Sequence, residues 1–415
     1  MATPPEAPTV FETPPEVLSV AEKALPLGLC RECFGRLVGR WGHGLTNPQR
    51  TTKLEAALGR LVPPVETCRL CRGTFGRLEM WTDRVVGAAV GLEWRRFSCG
   101  SRWDPELLAE EESVWTQIGS AWGECARGAF NRELGKSVEA RSGAAGGPDR
   151  PDVVFVADLP LGRVEVTVMP LYLRGRYRKL DRTLPQTRWP CRSCSGRGCT
   201  KCGGTGKTYS ESVEEIVAAP FLAATGGEGT RFHGMGREDI DARMLGRGRP
   251  FVLEVLRPRT RSIDIPSLAG TVGSASAGRV EVGEAVVAEA ADVVRVKEAS
   301  PEKSYRVVVR GESPLAKINE ALTFVAGRAI AQRTPTRVAH RRADRVRTRR
   351  VVAAHVVEAE AGRFTLDLRA EAGTYIKEWV EGDGGRTDPN LAQLLGVPLS
   401  VESLDVLEIH DSEVA

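Results

Sequence analysis

His233-Gly-Met-Gly-Arg-Glu-Asp-Ile-Asp-Ala-Arg-Met-Leu-Gly246, followed after Arg247 by Gly248-Arg-Pro-Phe251, is the stretch on which the reading of the fold turns. Its acidic and basic residues sit among apolar ones beside glycines, a pattern that holds a carboxylate at the floor of a cleft with an arginine as ion-pair partner. A plain loop salt bridge between Arg237 and Asp239 is the alternative reading of the same residues. The glycines of 226–236 lead into this loop without a G-x-G-x-x-G between strand and helix, so neither a dinucleotide nor a methyl-donor fold is expected. Upstream, Gly204-Thr-Gly-Lys-Thr208 invites comparison with a phosphate-binding loop, but Lys201 stands where that loop needs its first glycine and no strand precedes it.

Outward from this loop, strand signals fall at Phe251 to Val255, Val280 to Ala288 and Tyr305 to Val309, followed by a helical pattern over Lys317 to Gln332 and two further strands. This order does not repeat as a βα series, so the expected fold class is α+β, multidomain, with a mixed or antiparallel sheet in the C-terminal half. Before the loop, Val85 to Leu92 reads as an apolar strand-like run and Trp115 to Leu134 as helical. Val153 to Ala157 and Val164 to Met169 read as two strands around a Pro/Gly turn.

At 415 residues the chain exceeds one ordinary core. Hydrophobic residues make up 41% and charged residues 27%, which argues against disorder throughout. The net charge is only +4, so an anionic partner would meet local basic patches rather than a uniformly basic surface. The opening, rich in Pro and Glu with no basic residue before Lys23, is unlike a secretory signal and reads as a flexible tail over residues 1–26. No apolar run approaches the length that crosses a bilayer, so a cytoplasmic protein without membrane contact is expected.

Eight of the ten cysteines form C-x2-C pairs. Cys30, Cys33, Cys68 and Cys71 can close a tetrahedral zinc site in a small module over 27–80, although the 34 residues between the pairs exceed the compact ribbon spacing. Cys191, Cys194, Cys199 and Cys202 lie within twelve residues and form the stronger pattern. Redox dithiols are the competing reading, disfavoured by the lack of a thioredoxin-like strand and helix around them. Cys99 and Cys125 read as buried small hydrophobes.

With these residues in view, the loop 233–251 resembles the active-site segment of the archaeal and eukaryotic tRNA pseudouridine synthases that act on the TΨC loop. The resemblance extends to Arg174-Gly-Arg-Tyr-Arg-Lys-Leu180 with Pro185-Gln-Thr-Arg-Trp-Pro190, to Thr334-Pro-Thr-Arg-Val-Ala-His-Arg-Arg-Ala-Asp344, and to the segment from Gly373-Thr-Tyr-Ile-Lys377 to Thr387. It covers the chain from about Leu29 onward. It implies a Cys-rich zinc module (27–80), a THUMP-like RNA-binding domain (81–186) and a pseudouridine synthase catalytic domain (187–415) with the four-cysteine insertion at 191–202.

The reaction so implied breaks the glycosidic bond of a uridine, at position 54, 55 or both, turns the base and rejoins it through carbon. It needs no nucleotide cofactor and no catalytic metal; structural zinc and tRNA are the implied cofactor and partner. The family's catalytic aspartate falls on Asp239, as nucleophile, with Asp241 as rival. Tyr305 and Tyr375 match substrate-site positions, Tyr305 as the aromatic face for a flipped uracil, although both also suit a strand core. Lys377 is expected near the ring or phosphate and Arg237 paired with Asp239. The RNA surface is expected at Arg174, Arg176, Arg178 and Lys179 in the THUMP-like region. In the catalytic domain it is expected at Arg337, Arg341 and Arg342, with Arg345, Arg347, Arg349 and Arg350 continuing the cluster; a charge-guarded strand edge is the other reading. Two different functions remain open: another THUMP-bearing tRNA modifier, such as a methyltransferase or thiouridine synthase, and a non-catalytic zinc and RNA-binding protein.

Overall fold

The computed structural model describes residues 12–147, 149–341 and 343–411, and the chain divides into two units at Met169/Pro170. This boundary precedes the expected one at residue 186, because strand Leu171–Lys179 pairs along strand Arg243–Leu256 of the second unit.

In the first unit, a four-stranded sheet runs in the order Ala145–Gly146, Arg96–Arg102, Val153–Asp158, Arg163–Val168, with its first three strands parallel and the last antiparallel. Helix Ala126–Ser142 presents Ala126, Ala129, Phe130, Leu134 and Val138 to the core, spacings of three and four that keep one face inward. Trp94 packs edge-on against Phe97 and Phe155. The expected flexible tail is corrected over its described part: Pro15–Ala24 is a helix. Val17, Val20, Ala21 and Ala24 form one buried stripe of it. Val85 to Leu92 is likewise no strand, since Val85 closes the buried Trp81/Thr82/Val85 face of helix Leu78–Ala88. Helix Asn47–Leu58 starts at a capping box in which Thr46 and Gln49 satisfy each other's backbone N–H groups.

Among the described residues the second unit is built on one sheet of eleven strands. Neighbours are antiparallel except where Ser400–Ile409 meets Arg243–Leu256 in parallel, Asp405 opposite Arg243. On one edge strand Arg243–Leu256 changes partner along its length, from Asp405 and Val406 to strand Gly229–Gly234, while strand Leu171–Lys179 follows its other edge with a register shift between Tyr177 and Lys179. Gly248, at φ 84°, sits at that register shift, for a Cβ there would lie 2.6 Å from the Tyr177 carbonyl oxygen. Beyond it, residues Gly248 to Val255 are continuously buried, as a strand covered on both faces requires.

Two elements differ from expectation. The helix read over Lys317 to Gln332 ends at Val325, and Ala329–Arg333 is a strand that pairs with Val346–Glu360. Val280 to Ala288 is two short strands, Val280–Val282 and Val286–Ala288. The α+β class with a largely antiparallel sheet stands. Among the described residues no helix is long and apolar enough to cross a membrane.

Candidate active site

Asp239 lies in the loop between strands Gly229–Gly234 and Arg243–Leu256, which pair with each other through Gly234 and Phe251. The loop is held from beneath. Glu238 turns into the interior, its side chain fully enclosed, and accepts from Arg249 Nε at 2.7 Å and from the Tyr177 hydroxyl at 2.9 Å. Arg249 Nη1 also donates to the Met235 carbonyl at 2.6 Å, and Gln186 bonds both the Tyr177 hydroxyl and the Gly236 carbonyl. Lys179 donates to the carbonyls of Leu184, Asp239 and Ile240. Burial pushes its ammonium below the usual lysine value, with nearby carboxylates opposing. Burial and the Glu238 charge together hold the Tyr177 phenol protonated, well above its usual range. A buried ion pair with every neighbour hydrogen-bonded thus ties the backbone on either side of Asp239 to the sheet.

The Asp239 carboxylate itself turns outward, 31% exposed, into a cleft of about 450 Å³. Arg337 Nη1 donates to its Oδ1 at 2.9 Å, while Arg337 Nε donates to Glu378 at 2.6 Å, so one guanidinium bridges two carboxylates. Burial would lower the Arg337 pKa, but Glu378 and Asp239 outweigh it and hold the charge more firmly than usual. Lys377 sits 2.7 Å from Asp241 and 4.0 Å from Asp239. For Asp241 burial raises the pKa, yet the Lys377 bond and charge carry it below the usual carboxylate value. Tyr305 rises from strand Lys303–Arg310 into the same cleft; burial, with the Asp239 charge adding, pushes its phenol up to about 12. Tyr375 enters from the turn before helix Ile376–Glu381, its backbone clamped by Gln332, whose amide bonds both the Tyr375 N–H and carbonyl.

Asp239, Tyr305, Tyr375, Arg237 and Lys377, from three segments far apart in sequence, therefore line one cavity. Arg237 carries its guanidinium 5.2 Å over the Trp189 ring, and Arg337, expected at the RNA surface, reaches Asp239. Glu378, Glu238, Arg249, Lys303 and Gln186 were not among the expected site residues. The Glu-Asp step and the Arg249-Pro-Phe segment carried the only hint of the buried pair.

Among the expected RNA-binding residues of strand Leu171–Lys179, Lys179 needs correction. The strand belongs to the second unit's sheet, and Lys179 is completely buried beneath the Asp239 loop, unable to meet a phosphate. Arg176 pairs with Asp411 and bonds the Gly248 carbonyl, and Arg178 pairs with Glu281, as side chains that secure sheet edges do. Arg174 is half-buried beside them. Arg345 and Arg350 are exposed and Arg347 and Arg349 half-buried, on or beside strand Val346–Glu360. Arg342 and the side chain of Arg341 lie outside the described residues.

Both cysteine quartets converge. The sulfurs of Cys30, Cys33, Cys68 and Cys71, and those of Cys191, Cys194, Cys199 and Cys202, each lie within 4.8 Å of one another. Cys30–Cys71 and Cys199–Cys202 separations are 3.7 Å, and Cys191–Cys199 and Cys194–Cys202 are 4.0 Å. Zinc thiolates at about 2.3 Å in a tetrahedron place their sulfurs roughly 3.8 Å apart, so the donor sets fit the ion. Backbone N–H groups of Gly198, Cys199 and Gly206 point at sulfurs of the second quartet, all at 3.2 Å, as they would toward thiolates. Gly198, at φ 91°, lets this knuckle close: a Cβ would lie 2.6 Å from the Gly204 carbonyl oxygen. Cys99 is half-buried and burial pushes its thiol up to about 12, whereas Cys125 is exposed and, contrary to expectation, caps helix Ala126–Ser142 with its sulfur.

Comparison with known proteins gives the geometry its relatives. A family model described as "Pus10, C-terminal" matches residues 172–410, and one described as "Pus10 THUMP domain, archaeal" matches 81–158. A tRNA pseudouridine synthase Pus10 from Methanothrix thermoacetophila is 40% identical, over 98% of this chain and 97% of its own length. Those of Methanopyrus kandleri and Archaeoglobus fulgidus are 38% and 37% identical, each over 92% of this chain and over 95% and 100% of their own. With both units matched and relatives aligned end to end, the chain belongs to the Pus10 family of tRNA pseudouridine synthases.

Proposed function

We propose that this protein converts uridine to pseudouridine in the TΨC loop of tRNA, at position 54, 55 or both, with Asp239 as nucleophile. One observation carries the reading: an outward-facing carboxylate on a rigidly anchored loop, held by Arg337 in a cleft beside Tyr305 and Tyr375. The anchored loop spends no energy on reorganisation when the substrate arrives, and the arginine gives the carboxylate a fixed counter-charge. Asp241, locked to Lys377, is the positioning group of the pair rather than the nucleophile. Tyr305 offers the ring that a flipped uracil needs in place of its lost stacking partners.

The chemistry balances without a co-reactant. Asp239 supplies an electron pair to the nucleoside, the C1′–N1 bond breaks with its pair going to the base, and C5 of the turned base bonds C1′ as the carboxylate leaves. The C5 proton is lost and N1 gains one, so the sum is an isomerisation. We place the RNA along Arg345, Arg347, Arg349 and Arg350, where phosphates would meet the arginines on or beside strand Val346–Glu360. Arg237 and Lys377 line the same cleft. Each cysteine quartet holds a structural zinc ion, supported by sulfur spacings that match a tetrahedral site with no open position. No metal takes part in the reaction, and the enzyme works in the cytoplasm, where its substrate is.

The test is site-mapped pseudouridine in an unmodified tRNA transcript, incubated without added cofactor with the wild-type protein and with Asp239→Ala. Modification of TΨC-loop uridines by the wild type alone is the expected result. Binding of the transcript without modification by either protein would favour a non-catalytic RNA-binding role, and dependence on a methyl donor or ATP would favour another modifier.

A further inference from the structure

Lys303 is a cation without an anion among the described residues. It lines the Asp239 cleft on the strand that carries Tyr305, two residues away. Its hydrogen bond to the Pro301 carbonyl is long, 3.5 Å, and no carboxylate acts on it among the described residues. The charge that acts on it is Arg249, itself a cation and already paired with Glu238. Burial, with Arg249 adding, depresses the lysine to about 8, so it still carries its charge at neutral pH. Other basic groups around the cleft are engaged: Arg337 by Asp239 and Glu378, Lys377 by Asp241, Arg249 by Glu238. A half-buried ammonium without a counter-charge costs folding free energy, so its place in the cleft calls for an anionic partner from the substrate.

We propose that Lys303 is a catalytic donor to the pyrimidine: its ammonium contacts a ring carbonyl oxygen of the bound uracil and stabilises the negative charge that develops there. This rests on the reading of the cleft as a pseudouridine synthase site. Negative charge reaches a ring carbonyl by either route of attack. If Asp239 attacks C1′, the base departs with the bonding pair spread over N1 and the carbonyl oxygens; if it adds at C6, the pair moves to O4 as an enolate. A phosphate is the other anion an RNA could bring. A flipped base enters the cleft while its phosphates stay at the mouth, and Lys303 stands beside the buried Tyr305 rather than among the exposed arginines.

The test compares wild type, Lys303→Met and Lys303→Arg by single-turnover rate at saturating tRNA, by tRNA affinity and by melting temperature. Lys303→Met is expected to react about 100-fold more slowly, as loss of one preorganised charge donor does elsewhere, with tRNA affinity unchanged. Lys303→Arg, which keeps the charge, is expected to regain much of the rate. A native rate in Lys303→Met overturns the proposal, and so does weakened tRNA binding with a native saturating rate, which assigns the lysine to a phosphate. A deficit that vanishes well below the variant's melting temperature assigns it to folding and overturns the proposal too. A wild-type protein that forms no pseudouridine sinks the underlying reading instead.

Discussion

Asp239 and Glu238 are adjacent in sequence and opposite in fate, one facing the cleft and the other sealed beneath it. Asp239→Asn is isosteric and keeps a hydrogen-bond acceptor for Arg337, so its melting temperature should stay near wild type. Pseudouridine formation should fall by on the order of 10⁴-fold, read in single-turnover assays. Glu238→Gln should do the reverse in character, since it leaves the Arg249 cation buried without its counter-charge. A loss of roughly 3 kcal/mol of stability is expected, measured by denaturant unfolding, and an unchanged midpoint would show that the pair does not anchor the loop. Asp239 was legible as the carboxylate of a glycine-led loop, and the cleft gathers it with Tyr305, Tyr375 and Lys377. Arg337 as its partner was not legible, because 98 residues separate them and a basic cluster reads as a surface patch whichever of its members turns inward.

Among elements, the parallel contact of strands Arg243–Leu256 and Ser400–Ile409 is fastened by Asp405, which accepts three bonds from Arg243, one from its backbone N–H and two from its guanidinium, and pairs with Arg182. Burial would raise this carboxyl, but the Arg243 bonds and the two charges hold it below its ordinary 3.8. A depressed folded-state value stabilises the fold above the unfolded value, and the contribution is lost as pH falls through the folded one. Unfolding free energy should therefore drop as pH falls below about 4, and Asp405→Asn should flatten that dependence in denaturant titrations while weakening the fold at pH 7. The elements misread from sequence share one cause. Short apolar runs such as Val85 to Leu92 fit either period, and only their neighbours decide: Trp81 and Thr82 complete a helical face with Val85. The tail's helix was hidden by its Pro and Glu content, although Val17, Val20, Ala21 and Ala24 already had helical spacing.

For the molecule as a whole, purified protein should contain two zinc ions per chain by metal analysis. Stripping them with a strong chelator should lower the melting temperature without changing which uridine is modified, and loss of activity with the fold intact would contradict a structural role. Binding of tRNA should weaken steeply with salt. Replacing one of Arg345, Arg347 or Arg350 by alanine removes one phosphate partner, and should reduce the log–log slope by about 0.7 to 0.9, with equal effect on unrelated tRNA sequences. Cysteine spacing and the strand and helix periods are local properties, and from them the sequence alone determined the α+β class and the two metal-fitting quartets, while Asp239 was singled out by the family resemblance of its loop. Which arginine meets that aspartate, that Lys179 lies under the loop rather than on the RNA face, and that the strand at Leu171 belongs with the C-terminal sheet were decided only by tertiary structure. Those outcomes depend on pairings between residues tens to hundreds of positions apart, and a side chain's charge does not say which side of a strand will be covered.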